Sequence, residues 1–258
     1  NTSGTVFVGS TLTKYIGTPK VILTYTGASA VTISPGALTE LNAISFTVNS
    51  GSFALTITSG NTLKSLDFYN GGASTFTGSL ANTAYTLYGG LSLKSGMTVT
   101  AGATVTTFAA TFGSYTITSN GLTYSRPVTF NGIGGSWQLQ DNFSIAANAF
   151  IFSNGTLDTN GKNLTVGTVS LGAGTNAYLR FGTGGTWTVS GASFTGGTNF
   201  VMTGTATVSM TSASAKAFSG GSVVYPITLD QGGAGALTIS GNNAFDNITN
   251  SYSATGAT

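Results

Sequence analysis

The chain has 258 residues, a formal net charge of +2 and only 5% charged residues, whereas globular domains have about 25%. It is nevertheless 40% apolar and contains 16 Phe and 10 Tyr. Disordered chains contain too few apolar side chains to bury, so this composition predicts a folded chain. The eight Lys and Arg residues are scattered singly, and no apolar run reaches the roughly 18 residues of a membrane span, so we expect no nucleic-acid partner and no membrane span.

Short runs that alternate apolar and polar residues recur along the chain. A period of two is typical of β-strands with one buried face, and the residues that favour helices are scarce. We therefore predict an all-β protein with strands of three to six residues. The clearest runs, in chain order, are FTVNSG (46–51), LTITSG (55–60), MTVTAGATVTTF (97–108), YTITSNG (115–121), LTVGTVSL (164–171), TWTVSG (186–191) and LTISG (237–241).

Asn-Gly pairs separate many of these runs, and both residue types tolerate positive φ angles, so each pair predicts a turn. Short strands with such turns fit a β-sandwich, a β-barrel or a β-solenoid. The pairs lie at 70–71, 120–121, 131–132, 154–155 and 160–161.

A weak internal repeat favours the solenoid. The segments at 134–145, 184–196 and 234–248 share one layout, and Trp137, Trp187 and Leu237 occupy matching, evenly spaced places in them. Self-similarity at such periods is typical of stacked repeats, and this interval would suit two solenoid turns plus loops or one larger unit.

Side-chain chemistry also favours a solenoid. When turns stack about 4.8 Å apart, like residues form columns. Outward columns suit Thr, which is β-branched and can form hydrogen bonds, whereas a charged column would repel itself at every rung. We predict a parallel β-helix or solenoid of Thr/Gly/Asn-rich turns over 125–258. Residues 1–124 would form an N-terminal β region, either a degenerate solenoid or a separate β cap.

The inward phase of the alternation predicts the core. If the repeat alignment is right, the apolar residues that hold this phase are buried in the solenoid. These are Leu139, Phe143, Leu164, Val166, Trp187, Val189, Phe194, Leu237, Ile239 and Phe245.

The chain contains no His and no Cys, which removes catalytic Ser-His-Asp and Cys-His arrangements and disulfides. A glycosidase would need two carboxylates about 5–9.5 Å apart. The pairs Asp141/Asp158 and Asp230/Asp246 are each separated by about one solenoid turn, so stacking would bring either pair near. The preferred interpretation is that each Asp caps a turn through its own backbone, and we predict no catalytic residues. The full set is Glu40, Asp67, Asp141, Asp158, Asp230 and Asp246.

Two further motifs receive structural interpretations. GTLDTNGKN (155–163) departs from a phosphate-binding loop in its glycine spacing and in the residue after Lys162, so we predict a turn. Trp137 and Trp187 could stack on sugars if exposed, but their place in alternating runs predicts core packing. No regular calcium-binding array is present, and we expect neither a metal nor a cofactor.

The Thr/Gly/Asn-rich style of three stretches resembles β-helical structural proteins of tailed bacteriophages, found in tail fibres, baseplates or capsid-associated parts. The stretches are NGTLDTNGKNLTVGTVS (154–170), RFGTGGTWTVSGA (180–192) and FSGGSVVYPITLDQGGAGALTISGNNAFDNITN (218–250). The resemblance implies a non-enzymatic virion protein that contacts other virion proteins and a host surface glycan. A bacterial cell-surface or secreted adhesin and a tailspike-type glycan depolymerase remain alternatives.

Low charge and the open ends of a solenoid also bear on assembly. Little electrostatic repulsion keeps copies apart, and unpaired strand edges invite pairing. We therefore expect part of a longer polypeptide and a homo-oligomer. The phage resemblance implies a trimer.

Overall fold

The structure is a computed structural model that describes residues 4–8, 20–24, 30–34, 39–57, 62–172 and 176–253. These residues form an all-β fold of mostly parallel strands, stacked as a β-solenoid of about nine turns. No α-helix occurs among them, and two single 3₁₀ turns lie at Glu40–Asn42 and Asn70–Gly72. The predicted fold class is thus confirmed.

The described residues contain 25 strands, numbered β1 to β25 in chain order. The first thirteen are Gly4–Val8, Lys20–Thr24, Val31–Ser34, Ile44–Gly51, Ala54–Ile57, Thr62–Asp67, Thr75–Phe76, Ser79–Leu80, Tyr85–Leu87, Leu91–Ser92, Thr98–Val99, Thr106–Phe108 and Ser114–Thr118. The others are Val128–Leu139, Phe143–Ser144, Ala149–Asp158, Leu164–Val166, Thr168–Leu171, Ala177–Val189, Ser193–Gly196, Phe200–Met210, Lys216–Ser219, Val224–Asp230, Leu237–Ser240 and Ala244–Thr249.

Each turn of the solenoid crosses three faces. In one turn, residues 128–130 lie on face 1, residues 136–139 on face 2 and Phe143–Ser144 on face 3. The long strands β14, β16, β19 and β21 run from one face to the next, which is why their pairing registers shift midway. Residues 124 and 125 mark no interruption of the pairing, because β12 and β13 both pair with β14.

The stacking register shows that the sequence likeness between the Trp137 and Trp187 segments is not the structural repeat. If it were, the matching residues of these segments would lie on the same face. Trp137 instead lies on face 2, Trp187 on face 3 and Leu237 on face 1. The interval between these segments therefore corresponds neither to two solenoid turns plus loops nor to one larger repeated unit. The three segments lie on different faces. They resemble each other because each follows a similar corner of the chain and packs apolar side chains into the same core.

Most of the predicted core is buried, but its C-terminal members are not. Leu237 and Phe245 are only half-buried, and Ile239 is 39% exposed. The reason is that β24 pairs with β22 on one side, and no described strand covers its other side. The prediction for Ile239 is therefore wrong. The predicted residues that are buried are Leu139, Phe143, Leu164, Val166, Trp187, Val189 and Phe194.

Aromatic side chains fill the interior in stacked pairs. The rings of Phe108 and Phe130 lie 4.6 Å apart and nearly parallel, and those of Phe194 and Phe218 lie 4.5 Å apart. Both pairs join residues that align in register on face 1. Parallel in-register stacking thus places one ring directly on the next.

The Asn-Gly pairs serve two different purposes. Those at 120–121 and 160–161 form turns, and the pair at 70–71 lies in a 3₁₀ turn. Those at 131–132 and 154–155 instead lie inside β14 and β16, where the strand bends from face 1 to face 2. There Asn154 Nδ2 donates to Asn131 Oδ1 at 2.7 Å, and Gly155 has a φ of 97°. These two pairs form corners rather than chain-reversing turns.

Substitution of two face 1 residues tests the core. We expect Phe194→Ala to lower the free energy of unfolding by about 3–5 kcal/mol, because it leaves a cavity beside Phe218. We expect Ile239→Ala to cost about 1 kcal/mol or less, because that side chain is partly exposed. Chemical denaturation of both variants measures the difference. Equal losses would show that Ile239 is covered in solution.

Candidate functional site

Three of the candidate carboxylates cap turns. Asp67 Oδ1 accepts from the backbone N–H of Tyr69 at 2.9 Å, and Asp158 Oδ1 accepts from that of Asn160 at 2.8 Å. Asp141 reaches the preceding coil, where its Oδ1 accepts from the Ser119 N–H at 2.8 Å. Short acidic side chains commonly stabilise turns in this way. The preferred interpretation agrees with the geometry of Asp67 and Asp158, whereas Asp141 caps a turn of the preceding coil instead of its own.

The two candidate glycosidase pairs do not occupy shared rungs. Asp158 aligns with Gln138, whose Nε2 donates to Asp158 Oδ2 at 3.0 Å. Asp230 aligns with Thr249 rather than with the exposed Asp246. A sequence separation of about one turn therefore does not place the two carboxylates of either pair in register.

Asp230 is the most deeply placed carboxylate and belongs to a polar column on face 3. It is 5% exposed and accepts hydrogen bonds from Ser209 Oγ at 2.7 Å, Thr249 Oγ1 at 3.0 Å and Ser251 Oγ at 2.7 Å. Burial alone would raise its pKa, but these hydroxyls and the Ser251 N–H lower the pKa below the ordinary value. Its contacts join successive coils, which is a structural role.

Both tryptophans are fully buried. Trp137 Nε1 donates to the Gly89 carbonyl at 3.0 Å, and the Trp187 ring packs edge-on against Phe150 and Phe181. Neither ring can stack on a sugar from this position. The core interpretation of both residues holds.

Arg126 is a buried cation that sequence reasoning missed. Its Nη2 donates to the carbonyls of Leu80 and Ala81, both at 2.7 Å, and its Nε donates to that of Thr100 at 3.0 Å. The guanidinium also lies 5.5 Å from the centre of the Tyr124 ring. Burial raises the pKa of Tyr124 to about 12 although Arg126 opposes the shift, so this phenol stays neutral. Arg126 thus links three coils.

Lys216 is a second buried cation and is held in a similar way. Its Nζ donates to the carbonyls of Ser212 at 3.2 Å, Gly233 at 3.0 Å and Gly235. The sequence could have indicated this burial through the alternation of the strand. Lys216 lies two residues before the inward-facing Phe218, so its side chain faces inward as well. A charged residue at an inward-facing position of an alternating run can therefore indicate a side chain that binds backbone carbonyls.

The segment 155–163 forms the end of β16 and the turn at 160–161, and no helix follows it. Thr159 Oγ1 donates to the Phe181 carbonyl at 3.1 Å, and Asn160 Nδ2 donates to that of Leu139 at 3.4 Å. This segment therefore connects coils at the corner between faces 2 and 3. Its geometry agrees with the predicted turn.

Within the part of the chain that the structure describes, two shallow grooves indent the outer surface. The first, here called the tyrosine groove, has a volume of about 310 Å³ on face 2, and the second, here called the threonine groove, has about 380 Å³. The tyrosine groove is lined mainly by Ser65, Asp67, Gly90, Ser92, Tyr115 and Thr116. The threonine groove is lined mainly by Gly184, Thr186, Thr205, Thr207, Thr228 and Asp246.

Comparison with family models, curated proteins and solved structures found no match to this chain. Among the described residues, no helix has the length and apolar character needed to cross a membrane. In the same part of the chain, no three His, Cys, Asp or Glu side chains form a group that could hold a metal ion.

The pH dependence of stability tests the role of Asp230. Its lowered pKa means that ionised Asp230 stabilises the fold above its ordinary pKa near 3.8, and that this contribution is lost as the pH falls below that value. We therefore expect Asp230→Asn to be less stable than the wild type at neutral pH, with the difference shrinking under acid conditions. Denaturation from pH 7 to about 2.5 measures this, with Asp246→Asn as the net-charge control. A difference independent of pH would contradict the assignment.

Proposed function

We propose that the chain is a non-enzymatic structural protein of a tailed-bacteriophage virion, as a rigid segment of a fibre, spike or capsid-attached part. The observation that supports this is the parallel stacking of the described strands over about nine turns. At about 4.8 Å per turn, these coils form a rod roughly 40 Å long. The proposed location in a virion rests on the resemblance to phage β-helical proteins, which is found in residues 154–170, 180–192 and 218–250.

The rod is rigid because hydrogen bonds and aligned side chains connect each coil to the next. Backbone hydrogen bonds join each coil to the next, and polar columns such as Thr165, Thr188 and Ser209 align along face 3. Arg126 and Lys216 add contacts between coils without disulfides. This construction suits a mechanical part that holds a fixed shape outside a cell.

The outer surface also supports the proposed homo-oligomer. Tyr178 and Val201 align on face 2 and are 45% and 52% exposed, and Val224 is 71% exposed. Exposed apolar side chains in one region mark association surfaces in proteins. Packing of this surface against two further copies would produce the trimer that the phage resemblance implies, with contacts to other virion proteins elsewhere.

The location of the protein tests the proposed function. We expect antibodies raised against this chain to label purified phage particles in immunogold electron microscopy, because the protein would be part of the virion. Pre-immune serum is the control. Labelling of the cell envelope in phage-free cultures would instead support the adhesin, and shortening of host polysaccharide by the purified chain would support the depolymerase.

The mass of the purified protein tests the oligomer. We expect light scattering to give a multiple of the 25.8 kDa chain mass, most simply a trimer, because the apolar surface is covered by copies. Val201→Asp should dissociate the assembly, whereas Ser170→Asp, on the outer side of face 1, should not. A wild-type protein that stays monomeric at high concentration would contradict the proposal.

A further inference from the structure

The outer side of face 1 presents a hydroxyl group on nearly every coil. The strand pairings place one outward residue of each coil directly above that of the coil below, and these residues alternate with inward-facing ones such as Phe130 and Phe194. We call this set the hydroxyl column, because every member except Ile151 is Thr or Ser. Its members, in order along the rod, are Thr86, Thr107, Thr129, Ile151, Ser170, Thr195, Ser219 and Ser240.

The hydroxyl groups of this column are not used by the protein itself. Within the part of the chain that the structure describes, none of them forms a hydrogen bond. The hydroxyl groups of face 3 differ, because Ser209 Oγ and Thr249 Oγ1 both donate to Asp230. Each Ser or Thr hydroxyl can donate one hydrogen bond and accept two. The hydroxyl column is therefore available to a ligand outside the molecule.

A second outward column lies beside the hydroxyl column, two residues earlier on each strand. Its members are Ala84, Val105, Pro127, Ala149, Thr168, Ser193, Ala217 and Thr238. Neither column contains a charged or an aromatic residue. Stacking alone does not require this, because Asp158 and Arg180 align on face 2 and Asp230 lies on face 3. The absence of charge is thus a particular property of these two columns.

The two columns together form a regular grid of small side chains. Aligned residues of successive coils lie about 4.8 Å apart, and the two columns lie about 6.7 Å apart, because each strand residue advances about 3.3 Å. Oxygen atoms on the prism planes of ice repeat in two perpendicular directions at similar distances. The grid is also without the Trp, Tyr and Arg side chains on which binding to another protein commonly depends. Its repeat therefore suits a crystal lattice better than a protein partner.

We infer that the outer side of face 1 binds ice. Hydroxyl groups such as that of Thr107 form hydrogen bonds with water molecules at the ice surface, and the methyl groups of Thr and Ala pack against the lattice between them. Ice excludes ions, so an uncharged protein surface complements it, and a Lys or Asp on the grid would hold water of its own. Each contact is weak, but the rigid rod presents many of them at once.

The inferred surface is separate from the one that the proposed oligomer uses. The exposed Tyr178 and Val201 lie on face 2, so association through them leaves the hydroxyl column open. Ice binding therefore goes beyond the proposed function and can be tested without knowledge of where the protein is located.

Slow freezing of a solution of the purified chain onto a cooled probe supplies the test, because growing ice excludes proteins that do not bind it. We expect the wild type to enter the ice and to slow the recrystallisation of small ice grains. Thr107→Lys should abolish both effects, since a long charged side chain would hold the lattice away from Thr86 and Thr129. Thr165→Lys makes the same change on the outer side of face 3 and should behave as the wild type.

A second variant on a distant coil guards against misfolding. Thr195 is exposed in the same column, so Thr195→Lys should also lose incorporation into ice while circular dichroism shows the wild-type fold. Exclusion of the wild type from ice, or equal incorporation of the folded Thr107→Lys and Thr195→Lys variants, would overturn the inference. Exclusion of the wild type together with a smaller mass of Thr107→Lys in light scattering would also overturn it, and would assign face 1 to a contact between copies.

Discussion

The whole structure depends on parallel coils that stack in register about 4.8 Å apart. Each side chain then lies on the aligned residue of the next coil, so a position must suit its neighbours above and below. This explains the aligned Phe108 and Phe130 rings inside and the Thr165 and Thr188 pair outside. It also explains the scarcity of charge, because like charges in one column repel at every rung. The buried Arg126 is accommodated by backbone carbonyls instead of a stacked acid.

Local alternation was sufficient to predict the fold class and much of the core, since Leu164 and Val189 are buried as their phase requires. The predicted strand length of three to six residues was wrong, because strands range from 2 residues to 13 where one strand continues across a corner. Stacking partners were harder to predict. Ile239 has the correct phase, but its burial depends on what lies on the far side of β24. The Trp137 and Trp187 segments look alike yet lie on different faces, because sequence likeness reports the local strand layout and not the length of a coil.

The candidate groove was beyond prediction for a related reason. Gly90 and Tyr115 belong to different coils of a chain with 38 glycines and 10 tyrosines, and only the register brings these two residues together. The turn-capping roles of Asp67 and Asp158 were accessible, because each binds a backbone N–H two residues ahead. Roles confined to one turn can be predicted from sequence, whereas a site assembled from three coils requires their alignment.

The coils are not equal in length. On face 1, the step from Phe150 to Val169 is shorter than the next step, from Val169 to Phe194, yet both are in register. The strands keep their alignment because the coils differ in length between the aligned segments and not within them. Insertions and deletions between the aligned segments would alter the outer surface of the rod without disturbing its interior. Evolution can therefore change the surface that such a protein presents while conserving the shaft that supports it.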